Sequence, residues 1–392
     1  MRKEQGNGPL AGLGTTQLAV IRHVRRRGST ARADIAESFG ITPAAVSMVT
    51  RELIDRGILV EGEWRKGVRG APHVDLTLSK SIGYAVGVHA SRHSLVLTLL
   101  DFSGQIVGER QLPGAYERFE DVRQAILDTV PLLLDGAEAG PAMLVGTGIA
   151  LPTRFHRNQD HLDLADEVLS WAGSDLSSSI EAALRCPVIF ENDANAAAIG
   201  ELSLGNSAGY GNFAYLYLSE GIGSGLIINS QLYRGGSGNA GEIGGLRMRG
   251  LSRPSFNDLV LWCQERNQNT PAGRDPDIWA AFLAAHPALL DSWIDRAGPE
   301  LAELGYALAA IMAPDALYLG GTLPASVRKR LAVWLDFAHS KPDQKARVTQ
   351  PGILLPDVTA TDVVAFGAAA MVLHGQWALR SEPDSRQRAP LR

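Results

Sequence analysis

Asn192 and Asp193 set an amide and a carboxylate side by side where the strand-like stretch Pro187 to Phe190 meets a small-residue run, Ala194 to Ala198. Two chemistries compete at such a junction. The pair can exchange hydrogen bonds with ligand hydroxyls, the carboxylate taking a proton from one of them, or it can cap the helix that follows. Further on, Gly221-Ile222-Gly223-Ser224-Gly225 and Gly241-Glu242-Ile243-Gly244 are glycine turns whose backbone NH groups suit an anion, and Glu242 adds a second acid.

A different chemistry stands near the start of the chain. Thr42 is placed to cap a helix with Pro43 at its favoured first position, and Val46, Val49 and Leu53 fall three and four apart on one face. Ala44, Ser47, Met48 and Arg51 then share the opposite face, small and polar enough to enter a DNA major groove. Downstream, Ile58-Leu59-Val60 and the alternation Val74, Leu76, Leu78 read as strands flanking a tip with Arg65, Lys66 and Arg69, cations that suit phosphates or a narrow minor groove. Thr42, Ala44, Ser47, Met48, Arg51, Arg65, Lys66 and Arg69 are therefore the expected DNA contacts.

The elements that must hold these residues follow from local signals. Leu18, Ile21 and Val24 recur at helical spacing before Arg25-Arg26-Arg27-Gly28, which marks the end of a first helix. Ser29 or Thr30 is expected to cap a second helix through about Phe39, with Gly40 supplying the turn into the third. Helix, helix, helix and hairpin make a winged helix-turn-helix over residues 10–80; the same outline occurs in protein-interaction modules. Charge favours DNA. Residues 1–80 hold 13 Lys and Arg against 8 Asp and Glu, whereas the remaining 312 residues hold 24 against 34, a basic head on an acidic body despite the overall −5.

Beyond residue 80 the pattern changes to strands alternating with helices. Tyr84 to Val88 and Leu95 to Leu100 open a meander, and Met143 to Ala150, Pro187 to Phe190, Ala214 to Leu218 and Ala316 to Leu319 are further strands of an α/β domain. The polar start and the lack of a long apolar run predict a cytoplasmic protein with no membrane contact. Two separated cysteines, Cys186 and Cys263, build neither a disulfide framework nor a four-cysteine zinc site. His156, Asp160, His161 and Asp163 cluster after Pro152, where a polar loop explains them and no metal is expected.

Four ordered segments carry a family resemblance: Glu191 to Glu201, Gly221 to Gly225, Gly241 to Gly244, and Pro314-Asp315-Ala316-Leu317-Tyr318-Leu319-Gly320-Gly321. Over about residues 82–375 they resemble the ROK family (repressor, open reading frame, kinase), and with the winged head the whole chain resembles a ROK transcriptional repressor. The resemblance implies a two-lobed, actin-like and hexokinase-like fold over residues 81–380. The first lobe would take about 81–190 plus a C-terminal helix near 360–378, and the second about 191–359. A disordered tail would follow over 381–392.

By the same resemblance Asp193 stands at the family's catalytic-base position, and Asn192, Asp193 and Glu242 are the expected sugar ligands. The phosphate machinery departs from the pattern. Where kinases of the family carry Asp-x-Gly-Gly-Thr, this chain has Gly87-Val88-His89-Ala90-Ser91-Arg92-His93, and Ser219-Glu220 replaces a favoured Gly-Thr, setting an anion where it would repel a γ-phosphate. The family histidine after the second glycine turn is Gly245, the zinc-binding cysteines are absent, and an expected sugar-contacting asparagine is Val168. No catalysis, cofactor or zinc is expected. The implied function is a repressor of carbohydrate genes, acting as a homodimer or homotetramer on a palindromic operator and answering to a sugar effector. The rivals are an active sugar kinase with a DNA-binding head, a ligand-independent DNA-binding regulator, and a protein-interaction scaffold.

Overall fold

The first elements in the chain are α1 (Thr15–Arg27), β1 (Thr30–Ala31), α2 (Arg32–Phe39), α3 (Pro43–Asp55), β2 (Leu59–Arg65) and β3 (His73–Leu78). They belong to a computed structural model that describes residues 12–65, 73–80, 82–91, 93–155, 162–164, 166–171, 177–204, 210–246, 253–267, 269–341, 343, 347–356 and 362–374. The strands form an antiparallel sheet in the order β1-β3-β2. Gly40, left-handed at φ 61°, ends α2 and turns the chain into α3. Val20, Ile21, Val24, Ile35, Val46 and Leu53 close the core beneath the sheet, each no more than 2 % exposed.

The expected cap of the second helix is corrected here. Thr30 pairs with Leu76 as a strand residue, and the helix starts one step later, with Ala31 donating its NH to the Asp34 carboxylate at 3.3 Å. A β-bridge outcompeted the side-chain cap. Lys66 and Arg69 lie outside the described residues, as do the wing tip and the segment after residue 374. For Arg65 only the backbone, at the end of β2, is described.

The body follows as β4 (Tyr84–Ala90), β5 (Ser94–Asp101), β6 (Ile106–Pro113), α4 (Phe119–Gly136), β7 (Leu144–Leu151), β8 (Thr153–Phe155), β9 (Leu162–Leu164), α5 (Ser178–Leu184) and β10 (Val188–Asn192). It continues with α6 (Asp193–Leu204), β11 (Phe213–Leu218), β12 (Ile222–Ile228), β13 (Gln231–Leu232), α7 (Phe256–Arg266), α8 (Pro276–Ala285) and α9 (Pro287–Met312). The last elements are β14 (Ala316–Gly321), α10 (Ala325–Ala332), α11 (Phe337–Ser340), β15 (Gly352–Leu354) and α12 (Val363–His374).

Two five-stranded sheets share one plan. In β10-β7-β4-β5-β6 the strands from β4 to β6 are antiparallel and those from β4 to β10 parallel; in β13-β12-β11-β14-β15 the antiparallel part is β11 to β13 and the parallel part β11 to β15. Helices α6 and α12 lie between them, α12 packing on β4, β5, β7 and α6, and α6 on β11 and β12. Side chains shrink to let these backbones touch. A Cβ on Gly87 would stand 1.8 Å from the Ala365 carbonyl oxygen, and one on Gly367 would stand 1.8 Å from that of Ala196.

The head is fastened to the body through α1. The Arg25 guanidinium donates to the Phe102 carbonyl at 2.9 Å and to the Leu373 carbonyl at 3.4 Å, and it lies 5.1 Å from the Phe102 ring centre. Burial pulls its pKa down to about 10, with Asp101 opposing. Head residues Val24 and Ile35 share one continuous apolar cluster with Leu100, Phe102 and Phe366 of the body. No helix among the described residues is long and apolar enough to cross a membrane.

Candidate functional sites

The DNA-facing candidate is α3. Thr42 accepts the Ala45 NH at 3.3 Å, and Pro43 occupies the first turn, which sets the helix start as its sequence predicts. Val46, Val49 and Leu53 are buried, while Ala44, Ser47, Met48 and Arg51 are exposed and line one shallow surface together with Glu52 and Asp55. Met48, 69 % exposed, is an apolar side chain held in water for no packing reason. Arg32 braces the far side, donating to Thr50 Oγ1 at 3.0 Å and pairing with Glu61 at 2.6 Å. That leaves Arg51 as the cation on the exposed face.

The second site gathers where α6 begins. Asp193 is 8 % exposed, with Oδ1 accepting the Ala194 NH at 2.8 Å, and burial raises its pKa despite the opposing charge of His89. Asn192 holds the junction together, since its Oδ1 accepts the Asn195 NH at 3.2 Å, capping α6, and its Nδ2 donates to the Thr153 carbonyl at 2.9 Å. One NH and one lone pair remain for a ligand. Beneath it Glu191, fully buried, accepts from the Asn192 NH and the Asn195 amide, and forms an ion pair with Arg234.

Backbone contacts bring the glycine turns to the same place. A Cβ on Gly225 would stand 2.5 Å from the Ala194 carbonyl oxygen, so β12 lies directly on the first turn of α6. Gly241, at φ 98°, packs against Ser224, whose NH and hydroxyl both donate to the Gly241 carbonyl, at 2.9 and 3.1 Å. Glu242 follows, exposed on this turn. Val168, by contrast, is fully buried in an apolar cluster with Trp171 and Ile180.

His89 is the residue that most changes the site. Its Nδ1 lies 2.8 Å from Asp362 Oδ2, a partner 273 residues away in sequence. Burial alone would lower the imidazole pKa, but the charge and hydrogen bond of Asp362, with Asp193 beyond, raise it. Burial likewise pushes the Asp362 carboxyl up, and the His89 cation outweighs it, so that pKa is lowered. Asp362 Oδ1 also caps α12, accepting from the Val364 and Ala365 NH groups at 2.9 Å each. The sequence reading missed Asp362; its one local sign is an Asp directly before the apolar run of α12.

The two segments that the family resemblance aligns with phosphate loops are occupied by side-chain contacts, local in the first and long-range in the second. Ser91 Oγ accepts the His93 and Ser94 NH groups at 3.3 and 3.1 Å, donors that a phosphate loop would keep open. At the second loop Glu220 is paired with Arg274 at 2.8 Å, and Arg274 also reaches Asn257. The charge repulsion expected of Glu220 is therefore largely cancelled within the protein, and that part of the sequence reasoning is corrected. Cys186 and Cys263 are both buried thiols. His156, Asp160 and His161 lie outside the described residues, among which no cluster of three metal-ligating side chains occurs.

Residues 85–268 match the ROK family. A putative xylose repressor of Caldicellulosiruptor sp. (strain Rt8B.4) is 29 % identical over 251 residues, 63 % of this chain, and the match spans 60 % of that relative's length. Among solved structures, a ROK family transcriptional regulator described as a homolog of the E. coli MLC protein superposes with a TM-score of 0.64 at 18 % identity, covering 93 % of this chain and 98 % of its own. The ROK hexokinase of Thermus thermophilus superposes at 0.56 and 20 % identity, covering 76 % of this chain and all of its own. At these identities the two structures speak for the fold alone.

Proposed function

Because the chain carries a ROK-family domain, we propose that it is a DNA-binding transcriptional repressor of carbohydrate genes, controlled by a sugar held where α6 begins. The observation that carries this reading is the exposed face of α3, with Ala44, Ser47, Met48 and Arg51 aligned on a capped helix at the free side of a basic head. Such a helix enters a major groove with its early residues at base edges. Two heads of a dimer then read a palindrome whose half-sites lie one or two helical turns apart. The similarity to a putative xylose repressor makes D-xylose the first effector to try.

In this reading Asp193 and Glu242 bind sugar hydroxyls and Asp193 accepts no proton. The side-chain contacts of Ser91 in the first loop and His89 in place of the acid of the Asp-x-Gly-Gly-Thr pattern support a body that no longer turns over ATP. A sugar shifts DNA binding only by preferring one arrangement of lobes and heads, a coupling of about 1 to 3 kcal/mol. A thermal-shift screen of pentoses, hexoses and ATP on wild type and an Asp193→Ala, Glu242→Ala double variant tests this. A rise with one sugar that the double variant loses supports the reading; ATP hydrolysis that depends on Asp193 and on sugar overturns it in favour of a kinase.

A further inference from the structure

A cavity of about 350 Å³, whose walls do not include Asp193, lies where the head meets both lobes. Its walls come from separate units. Helices α1 and α2 supply Arg22, His23 and Phe39, the turn after β5 supplies Ser103 and Gln105, and the end of α6 supplies Ser203. From the second lobe comes the tight turn at Asn229 and Ser230, both left-handed, at φ 52° and 58°.

The charge of this cavity is one-sided. Arg22, Arg25 and His23 line it, and no Asp or Glu among the described residues does. Arg25 is committed to the carbonyls of Phe102 and Leu373, and His23 is buried against Phe39, their ring centres 5.4 Å apart. Arg22, unlike Arg25, has its Nε buried without a hydrogen-bond partner. A buried guanidinium NH with no acceptor has lost its hydration without replacement, and a bound anion would supply the missing acceptor. Asp101, the carboxylate whose charge acts on neighbouring Arg25, is not its partner; it is 3 % exposed, and its Oδ1 accepts from the Ser103 hydroxyl at 2.6 Å and the Gln105 NH at 3.0 Å. Hydroxyl and amide side chains share the rest of the wall with apolar ones such as Leu100, Leu202 and Phe366, a mixture that suits the hydroxyls and carbon faces of a polyol better than a purely apolar ligand.

We infer that this junction is a second ligand site, taking a small polyhydroxylated anion whose phosphate or carboxylate meets Arg22. Because its walls belong to the head, the first lobe and the second lobe, an occupant fixes their relative placement and so changes operator affinity independently of the cleft at Asp193. The basic segment after residue 374, with four arginines against two acids over residues 375–392, is a poor occupant by charge.

The test uses the full chain with three probes at millimolar concentration: inorganic phosphate, glucose 6-phosphate and gluconate. Thermal shift and operator anisotropy are read on wild type, Arg22→Gln, Gln105→Glu and Asp193→Ala. The expected result is a rise in Tm with at least one organic anion, kept in Asp193→Ala and lost in Arg22→Gln. Gln105→Glu, an exposed change that brings a carboxylate to the wall without emptying it, should weaken binding at least tenfold and keeps the test valid if Arg22→Gln misfolds. No rise with any probe overturns the proposal. So does a rise lost in Asp193→Ala but kept in the Arg22 and Gln105 variants, which returns the ligand to the cleft and leaves the repressor reading intact.

Discussion

Replacing Glu201 by Gln should stabilise the protein at neutral and alkaline pH and leave it unchanged in acid. Glu201 sits on α6 two turns beyond Asp193, is 1 % exposed, and has Oε1 buried without a hydrogen-bond partner. Burial pushes its pKa from 4.5 up to about 7. A carboxyl whose pKa is raised on folding contributes fully below its unfolded value. That contribution is lost as pH climbs through the folded one, since folding must then keep a proton the unfolded chain has released. A gap of about 2.5 units at about 1.4 kcal/mol each gives roughly 3 kcal/mol lost above pH ~7. Glutamine has the same shape and no charge to lose. Urea titrations of both proteins at about pH 4, 6 and 8 should show coincident midpoints at the lowest pH and a gap that widens in favour of Glu201→Gln by order 2–3 kcal/mol. A variant less stable than wild type at every pH would refute the reasoning, because it would mean that the Glu201 carboxyl makes a favourable bond that burial alone does not describe.

Further outcomes follow from the same geometry. Gly87→Ala should abolish soluble expression or cooperative unfolding, since its Cβ meets α12 backbone on two sides, whereas Gly136→Ala, with open space around it, should be neutral or slightly stabilising. Asp362→Asn preserves the cap on α12 but removes the charge that raises the His89 pKa, so its stability deficit should be largest where the imidazole is protonated and should shrink as pH rises through that raised pKa; a pH-independent deficit would argue for the cap alone. Arg51→Ala should weaken operator binding by about 1–3 kcal/mol if it reads a base. A uniform loss with a salt slope smaller by about one would instead assign it to phosphate.

The parts of this protein that sequence made visible are those governed by neighbours along the chain. Thr42 followed by Pro43 sets the start of α3, and the three-and-four spacing of Val46, Val49 and Leu53 decides which face Ser47 and Arg51 present. The run from Glu191 to Glu201 announces a strand end and a helix built of small residues, and the glycine turns are equally local. Long-range pairings were not legible. Nothing near His89 predicts Asp362, nothing near Glu220 predicts Arg274, and Arg25 reads as an ordinary cation at a helix end until Phe102 and Leu373 arrive from two other parts of the fold. The misplaced cap at Thr30 has the same origin, because its competitor is a bridge to Leu76. Asn192 shows a mixed case, in which the reading as a helix cap was available from sequence and describes the bond its Oδ1 accepts from Asn195, while the bond from Nδ2 to the Thr153 carbonyl is long-range and was not legible.

The position of α12 also bears on how the protein is made. This last described helix is apolar from Val363 to Leu373, and it is wedged against three strands of the first sheet, against α6, and against the Arg25 clamp that holds the head. On the ribosome, both lobes emerge long before the piece that joins them. The grooves facing α12 stay open to water, and to other nascent chains, until synthesis has passed His374 and the segment has cleared the exit tunnel. A premature stop shortly before Val363 would therefore cost more than its length suggests. It would leave every upstream element in place yet only α6 in the seam between the sheets, and the product would be a substrate for chaperones and proteases rather than a shortened regulator.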